Sequence, residues 1–349
     1  MRTEIDHSNK TMTQDQEQLI RKAAERFEWD GRTRYSPPCR DKPFPPLPEG
    51  TKVEAGFHKR YRSKVGFVAH LAVKSRPDIN QHAVKAARRL NDPVPECEEY
   101  IDMVLQFLFS TAEDRLHFDC TQPLGSTLLG SSDSSLADTF DSHSTGGWVS
   151  MCGGAAWAWS VGTLRLVVLS STEAEYCFAA DMCKAVLGQT ALFAAFGLDF
   201  PEQYPILLDN QSAIALACGP SAHHNRTKHI DMKYHFQRQL LLQGVVRYQH
   251  QDTTVQVSDI LTKDLGRKLH KLHRDVLFGR KNLEFISRKL PESNKTYLKR
   301  HNDELLLNAK TMQLRHAFEK SEKHTNRQED RNTDVAHLVQ ALVAVLQHS

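Results

Sequence analysis

The segment VLSSTEAEY, from Val168 to Tyr176, decides the fold of this sequence. The run of apolar, often β-branched residues from Leu164 to Leu169 predicts a strand. The small polar residues that come next, followed by acids and an alanine-rich stretch, are typical of a helix start. The segment therefore predicts a strand that runs directly into a helix.

Two hydroxyl and carboxylate pairs in this segment have the i, i+3 spacing of a capping box, Ser170 with Glu173 and Thr172 with Glu175. Only one of the two boxes can form at a single helix start. The other glutamate is then left near the positive end of the helix, at the edge of a sheet where a metal ion could bind. A capped helix with a spare surface glutamate is the alternative interpretation.

The composition limits the classes of protein to which this sequence can belong. The chain has 349 residues, 40% hydrophobic and 25% charged, which predicts one or two folded domains with tails. A formal net charge of +3 is too small to indicate a polyanionic partner by itself. The seven cysteines form no CxxC pair and lie mostly in apolar stretches, so we expect reduced thiols and an intracellular location. We expect neither a signal peptide nor a membrane span.

Four regions are expected along the chain. Residues 1–56 are predicted to be a charged arm, loosely helical or disordered, that ends in a proline-rich linker. Residues 57–120 are predicted to be helical, residues 127–279 to form the α/β domain, and residues 280–349 to form a charged and amphipathic helical tail.

Within residues 127–279 the sequence predicts a five-stranded mixed sheet flanked by helices. The strand segments expected before the long helix are Leu128–Asp133, a hairpin of Gly147–Cys152 and Ala155–Val161, and Leu164–Leu169. From these four segments we expect three antiparallel strands before the long helix, in the overall order β-β-β-α-β-α-α-β-α. The elements expected afterwards are a helix at Thr172–Phe196, a strand at Pro205–Asp209, helices at Asn210–Cys218 and Ile230–Gln243, a strand at Val245–His250 and a helical end from Val257. The apolar strand ending at Asp209 is typical of parallel pairing.

Four acids fall at strand ends and helix starts: Asp133, Glu175, Asp209 and Asp259. The carboxyl ends of neighbouring parallel strands converge on the crevice where α/β sheets bind ligands. Four carboxylates in one crevice would repel each other unless cations neutralised them. Two Mg²⁺ ions about 4 Å apart would do so and could activate a water against a phosphodiester. Each acid also has a structural interpretation, as a turn or capping residue.

Several segments, in this order, resemble the ribonuclease H domain of the Pol polyprotein of copia-type LTR retrotransposons. They are SDSSLADTFDSHSTGGWVSMCGGAAWAWS (Ser132–Ser160), SSTEAEY (Ser170–Tyr176), DNQSAIALA (Asp209–Ala217), NRTKHIDMKYHFQR (Asn225–Arg238) and SDILTKDL (Ser258–Leu265). YRSKVGFVAHLAVKSRPDI (Tyr61–Ile79) is similar to the segment that follows the reverse transcriptase palm in the same family.

The resemblance implies a ribonuclease H-like fold that cuts the RNA strand of RNA–DNA hybrids. It implies that the four acids bind two Mg²⁺ ions, or Mn²⁺ in their place, and that residues 57–120 are a helical remnant of the reverse transcriptase thumb or connection. It also implies a catalytic role for His250, which precedes Asp259 where such enzymes often hold a mobile histidine. A polar residue at a strand end is the alternative for His250.

A hybrid substrate requires cations for its phosphates. The expected phosphate contacts are Arg226, Lys228, Lys233, Lys263, Arg267 and Lys268. A zinc site in His223–His229 is an alternative use of that stretch, although it lacks a thiolate or acid at ligand spacing. The nine basic residues between Lys59 and Arg89 form either a solvated face or a further surface for phosphates.

The expected partners follow from the same resemblance. They are an RNA–DNA hybrid and a reverse transcriptase polymerase domain from another chain, in the cytoplasm within a virus-like particle or in the nucleus. The paired-aspartate polymerase motif of the palm is absent from the sequence, so we expect no polymerase activity. A catalytically inactive retroelement remnant that at most binds nucleic acid is the alternative to an active nuclease.

Overall fold

The computed structural model describes residues 1–40, 44–139, 142–198, 200–218 and 236–282, together with residues 302, 303, 310 and 313. Its helices and strands, in chain order, are β1 (Arg2–Asp6), β2 (Thr11–Asp15), α1 (Glu17–Arg26), α2 (Ala55–Lys74), α3 (Asn80–Ala87), α4 (Pro95–Ser110), β3 (Leu116–Asp119), β4 (Leu129–Ser135), β5 (Thr145–Cys152), β6 (Ala155–Thr163), α5 (Ser171–Ala195), β7 (Tyr204–Leu208), α6 (Gln211–Cys218), α7 (Phe236–Leu242), β8 (Val246–His250) and α8 (Arg267–Leu277). Short 3-10 helices include those at Pro77–Ile79 and Val257–Leu261.

A five-stranded mixed sheet with the order β6-β5-β4-β7-β8 is the core of the C-terminal half. The strands β4, β5 and β6 pair antiparallel, whereas β7 pairs parallel with both β4 and β8. The helix α5 packs on this sheet, and a Cβ atom at Gly146 would overlap the ring of Phe178, so glycine allows the close approach. The predicted α/β fold, with three antiparallel strands followed by parallel ones, is confirmed.

The segment Leu164–Leu169 is not a strand, and this prediction was wrong. The sheet already ends at β6 on that side, which leaves the segment without a strand to pair with. Leu164 and Val168 are buried in the core, whereas Val167 and Leu169 are 54% and 77% exposed. The hydrophobic residues therefore anchor an irregular connection to α5 by two contacts instead of a hydrogen-bonded ladder.

The N-terminal region is more ordered than the sequence predicted. The strands β1, β2 and β3 form a second, antiparallel sheet, so the region is not simply helical, and α1 buries Ile20 and Ala23 in the same core as α2 and α4. The prediction of a loose or disordered arm failed because β2 pairs with Leu116–Asp119, about a hundred residues away, which a local pattern cannot show.

The proline-rich segment packs against this helical core. Phe44 is buried and contacts the ring of Tyr100 edge-on, at a centroid distance of 5.3 Å. Between α2 and α3, the buried guanidinium of Arg76 pairs with both carboxylate oxygens of Asp78, at 2.9 and 2.8 Å. The segment that carries Asp78 packs against α8. The indole of Trp159 on β6 donates to the carbonyl of Ala72 at 2.7 Å. These contacts join the N-terminal helices to the main sheet.

The amphipathic tail predicted for residues 280–349 lies almost entirely outside the described residues, and the domain boundaries stay predictions. Among the described helices, none has both the length and the apolar composition that crossing a lipid bilayer requires.

Candidate metal centre

Two of the four acids lie at the ends of neighbouring parallel strands. Asp133 lies near the end of β4, and Asp209 follows directly after β7. Ser131 of β4 pairs with Leu207 of β7. Asp133 lies two residues after Ser131, and Asp209 lies two residues after Leu207. The parallel pairing therefore places the two carboxylates at the same edge of the sheet.

Asp259 completes a cluster of three carboxylates. It is carried by the 3-10 helix Val257–Leu261, which packs against β4 and β5. Carboxylate oxygens of Asp133, Asp209 and Asp259 all lie within 4.8 Å of one another. Ser258, next to Asp259, contacts Ser131 of β4 through their hydroxyl groups at 2.8 Å. Such a distance between three oxygen donors suits a bound divalent cation.

Glu175 approaches the cluster from α5. The helix begins after Ser170, whose hydroxyl accepts a hydrogen bond from the Glu173 amide at 3.2 Å, while the Glu173 carboxylate accepts one from the Leu169 amide at 2.8 Å. Of the two possible capping pairs, Ser170 and Glu173 therefore form the cap, although the glutamate accepts from the Leu169 amide instead of the Ser170 amide of a standard capping box. Glu175 has no part in the cap, and its Oε1 accepts a hydrogen bond from the Ser134 amide, next to Asp133, at 3.2 Å.

The second carboxylate oxygen of Glu175 is buried inside the protein. Glu175 is only 4% exposed, and its Oε2 has no hydrogen-bond partner in the part of the chain that the structure describes. A buried carboxyl oxygen without a partner is costly, because the water it has lost is not replaced. A cation bound between Glu175 and the neighbouring aspartates would remove that cost.

Burial and mutual repulsion raise the pKa values of Glu175, Asp259 and Asp133. Burial, followed by repulsion from Asp133 and Asp209, raises the pKa of Glu175 to about 10. Burial and the charge of Asp133 raise the pKa of Asp259 to about 7, against the opposing effect of Lys263. The pKa of Asp133 is also raised, chiefly by burial. Without a cation, the cluster therefore holds protons near neutral pH that isolated carboxyl groups would have lost.

Two residues of SDILTKDL also contact the acids. The ammonium of Lys263 lies 2.9 Å from Oδ1 of Asp259 and 3.4 Å from Oδ1 of Asp133. The Thr262 hydroxyl donates a hydrogen bond to Oδ2 of Asp133. The sequence suggested Lys263 as a phosphate contact and gave no role to Thr262. Their spacing from Asp259 along a turn is the signal that could have placed both at the cluster.

The donor set fits a hard divalent cation. All four side chains offer carboxylate oxygens, which Mg²⁺ and Mn²⁺ prefer, and no described sulfur or imidazole completes the group. Asp133, Asp209 and Asp259 would hold the ion together, and Glu175 would contribute its unpaired Oε2. The chemistry of such a site is Lewis-acid activation at phosphate or carbonyl oxygens.

His250 ends β8 beside the strand that leads to the cluster. It is paired in register with Leu208, the residue before Asp209. Its Nε2 lies 3.2 Å from the side-chain nitrogen of Gln211, and its backbone exchanges hydrogen bonds with the Asn302 side chain at 2.8 and 3.1 Å. His250 therefore lies near the same edge of the sheet without belonging to the three-carboxylate group.

The other predicted phosphate contacts divide into two groups. Arg267 and Lys268 are exposed in the first turn of α8, and the Arg267 guanidinium lies over the ring of Tyr35 at 5.4 Å. Arg226, Lys228 and Lys233, and the histidines of the alternative zinc site, lie outside the described residues.

Most of the basic stretch between Lys59 and Arg89 is used within the fold. Six of its nine basic residues make ion pairs, namely Arg60, Lys64, Arg76, Lys85, Arg88 and Arg89. Lys59, Arg62 and Lys74 are exposed. A broad phosphate-binding surface on these helices is therefore not supported, because internal carboxylates already neutralise most of its charge.

Comparison with known proteins finds related sequences. The chain is 31% identical over 218 residues to the retrovirus-related Pol polyprotein from transposon TNT 1-94 of Nicotiana tabacum, which is 62% of this chain and 16% of that polyprotein. It is 32% identical over 208 residues to the Pol polyprotein from transposon RE2 of Arabidopsis thaliana, covering 59% of this chain and 14% of that one. The secreted RxLR effector protein 161 of Plasmopara viticola is 34% identical over 117 residues, which are 33% of this chain and 81% of that protein.

The chain thus matches only about a sixth of the length of these two polyproteins. No protein-family model and no solved structure matches it.

Proposed function

Because this chain belongs to the Pol polyprotein family of copia-type retrotransposons, we propose that it is a metal-dependent endonuclease that hydrolyses the RNA strand of RNA–DNA hybrids. The proposal assigns residues 127–279 to a domain with a ribonuclease H-like fold and residues 57–120 to a remnant of the reverse transcriptase thumb or connection. The observation that carries it is the convergence of the carboxylates of Asp133, Asp209 and Asp259 within 4.8 Å.

The arrangement of the strands supports this proposal. Three antiparallel strands, a long helix and two parallel strands bring acids from four separate segments to one edge of the sheet. Structural acids at strand ends would be satisfied by backbone or side-chain donors, whereas the buried Oε2 of Glu175 has none among the described residues. The group is therefore better explained as a site for cations than as four independent caps.

The proposed mechanism gives each side chain a defined task. Two Mg²⁺ ions, or Mn²⁺ in their place, would polarise the scissile phosphate and make a water more acidic. Asp133, Asp209, Asp259 and Glu175 would bind and orient those ions. The Thr262 hydroxyl, which donates to Asp133, fixes the orientation of that carboxylate. His250, beside Leu208 at the same edge, would carry a proton or assist release of the product.

The substrate proposal rests on charge and location. Arg267 and Lys268 at the start of α8, with Arg226, Lys228 and Lys233, would contact the phosphates of an RNA–DNA hybrid. A polymerase domain from another chain would supply the hybrid. All seven cysteines are free thiols, which supports an intracellular location, in a cytoplasmic virus-like particle or in the nucleus.

Cleavage of a labelled RNA–DNA hybrid by the purified chain in Mg²⁺ tests the proposal. We expect the unmodified chain to cut the RNA strand, Asp209→Asn to abolish cutting, and Asp30→Asn, which changes an exposed aspartate, to leave it intact. Equal cutting by the unmodified chain and by Asp209→Asn would indicate a contaminating nuclease. Hybrid binding without any cutting would instead support the inactive, nucleic-acid-binding remnant.

A further inference from the structure

A lysine lies beside two carboxylates of the acidic cluster. The Lys263 ammonium lies 2.9 Å from Asp259 and 3.4 Å from Asp133, and both aspartate residues are at least 96% buried. Across the described ranges, no other lysine or arginine makes an ion pair with the four acids. Lys263 is therefore the internal cation that faces these carboxylates most directly.

The backbone on both sides of Lys263 is anchored, so the ammonium is held at the cluster by more than its own charge. Before it, the Thr262 hydroxyl donates to Asp133, and the Lys263 amide donates to the Asp259 carbonyl at 2.8 Å. After it, the Asp264 carboxylate accepts hydrogen bonds from the Gln81 side chain at 2.6 Å and the Lys85 ammonium at 2.8 Å. The N-terminal helices thus fix the position of the turn that carries Lys263.

The single positive charge of Lys263 cannot neutralise all four carboxylates, but it can compete with a divalent cation for two of them. A divalent ion bound to Asp133 and Asp259 would share both carboxylates with Lys263 and would repel its charge at a distance of a few ångströms. The repulsion makes binding of the ion less favourable unless the lysine side chain moves away. Lysine can do so, because its charge lies at the end of a flexible stem.

We propose that Lys263 is a built-in counter-cation, which holds Asp133 and Asp259 together before a divalent ion binds and lowers the affinity of the site for that ion. The inference rests on the metal site of the proposed function but does not require that the site be catalytic. In the metal-free protein, Lys263 neutralises part of the buried negative charge. In the metal-bound protein, its ammonium leaves the carboxylates.

Binding of Mn²⁺ to the full chain in the absence of nucleic acid tests this inference. Calorimetry or electron paramagnetic resonance would compare the unmodified chain with Lys263→Met and with Lys22→Met, a control that removes an exposed lysine of α1. We expect Lys263→Met to bind Mn²⁺ about tenfold more tightly and to unfold at a lower temperature in EDTA, while Lys22→Met changes neither. Unchanged or weaker Mn²⁺ binding by Lys263→Met would overturn the proposal.

A second measurement applies if Lys263→Met does not fold. Nitrogen-detected spectra of the lysine ammonium groups would follow Lys263 in the unmodified chain, with its signal assigned through Lys263→Arg. We expect a protected ammonium signal in EDTA that loses protection as Mg²⁺ is added, and a signal that Mg²⁺ leaves unchanged contradicts the inference. If the unmodified chain binds no Mn²⁺, both this inference and the proposed metal site fail. Tight binding with equal affinities overturns the role of Lys263 alone.

Discussion

The side-chain amide of Gln256 donates a hydrogen bond to the Ser132 carbonyl at 2.9 Å and another to the Leu207 carbonyl at 3.4 Å. Ser132 precedes Asp133, and Leu207 lies two residues before Asp209. One fully buried side chain therefore links the turn that carries the third aspartate to the two central strands. Gln256 fixes the spacing of the acids without touching them.

Replacing Gln256 by methionine should lower both stability and metal affinity. The variant keeps the shape but leaves the buried Ser132 carbonyl without its donor, at a cost of about 1–3 kcal/mol. The Oε1 of Gln256 has no partner among the described residues, so its removal offsets part of that cost, and we expect a net loss of about 1 kcal/mol. Urea unfolding and Mn²⁺ titration measure the two effects. Gln18→Met, at an exposed site, should change neither quantity, and a matching loss there would contradict the assignment.

The two glutamates of the helix start should respond in opposite ways to the same substitution. Glu173→Gln weakens a hydrogen bond to the Leu169 amide at the cap and should cost about 0.5–1 kcal/mol of stability, with cleavage and metal binding retained. Glu175→Gln should abolish cleavage and weaken metal binding. Parallel assays of unfolding and Mn²⁺ affinity decide the point, and loss of metal binding in Glu173→Gln alone would reverse the two roles.

The contribution of Glu175 to the stability of the metal-free protein should fall as the pH rises above about 4.5. Folding raises the pKa of Glu175 from its ordinary value of about 4.5 to about 10, so in this window the folded state keeps a proton that the unfolded state releases. The contribution is complete below pH 4.5 and disappears as the pH approaches 10, with a slope of at most about 1.4 kcal/mol per pH unit. The difference in the free energy of unfolding between the unmodified chain and Glu175→Gln, measured with urea in EDTA, should fall with rising pH by up to this slope. A difference that stays constant with pH would argue against a buried, proton-holding glutamate.

Two buried histidines of α8 should make the folded protein less stable as the pH falls, which is opposite in sign to the effect of Glu175. Burial lowers the pKa of His270 and of His273 to about 4, from 6.5, so the unfolded state binds protons that the folded state does not. Their contribution to stability is present above pH 6.5 and is lost as the pH falls toward 4, by up to about 3 kcal/mol each. His273→Leu should flatten this limb of the curve, as measured by proton uptake on unfolding. His7→Leu, at an exposed site, serves as the control and should leave the uptake unchanged.

Substitutions of the buried pair Arg76 and Asp78 should have strongly non-additive effects on the free energy of unfolding. Both side chains are fully buried, and the guanidinium also donates to the Thr111 carbonyl at 3.0 Å. Arg76→Met leaves the Asp78 charge uncompensated and should cost about 3–5 kcal/mol. Adding Asp78→Leu to that variant should recover much of the loss, because it removes the unpaired charge. A double-mutant cycle from urea unfolding measures the coupling, and additive losses would contradict it.

Much of the main sheet could be predicted from sequence because its signals are local. Three local patterns each locate one element to within a few residues. They are the glycines beside β5 and β6, the apolar strand before Asp209 and the capped helix start. Placing acids at the ends of parallel strands is then enough to predict that Asp133 and Asp209 meet.

The features that the sequence did not predict depend on distant partners. The segment Leu164–Leu169 has the composition of a strand, but the sheet offers it no neighbour to pair with. The N-terminal hairpin gains order from β3, far along the chain. The contacts of Lys263 with Asp133 span 130 residues, so a basic residue that looked free for phosphate lies among acids instead.

Asp264 joins parts of the chain that leave the ribosome far apart in time. Its hydrogen bonds to Gln81 and Lys85 join residues 183 and 179 positions apart. Such distant contacts form late, because closing a long loop costs entropy before the contact repays it. During synthesis from the N-terminus, α3 can gain these two hydrogen bonds only after the turn at Asp264 has emerged. The carboxylate cluster should therefore be among the last parts of the molecule to take shape, and a truncated nascent chain should lack it.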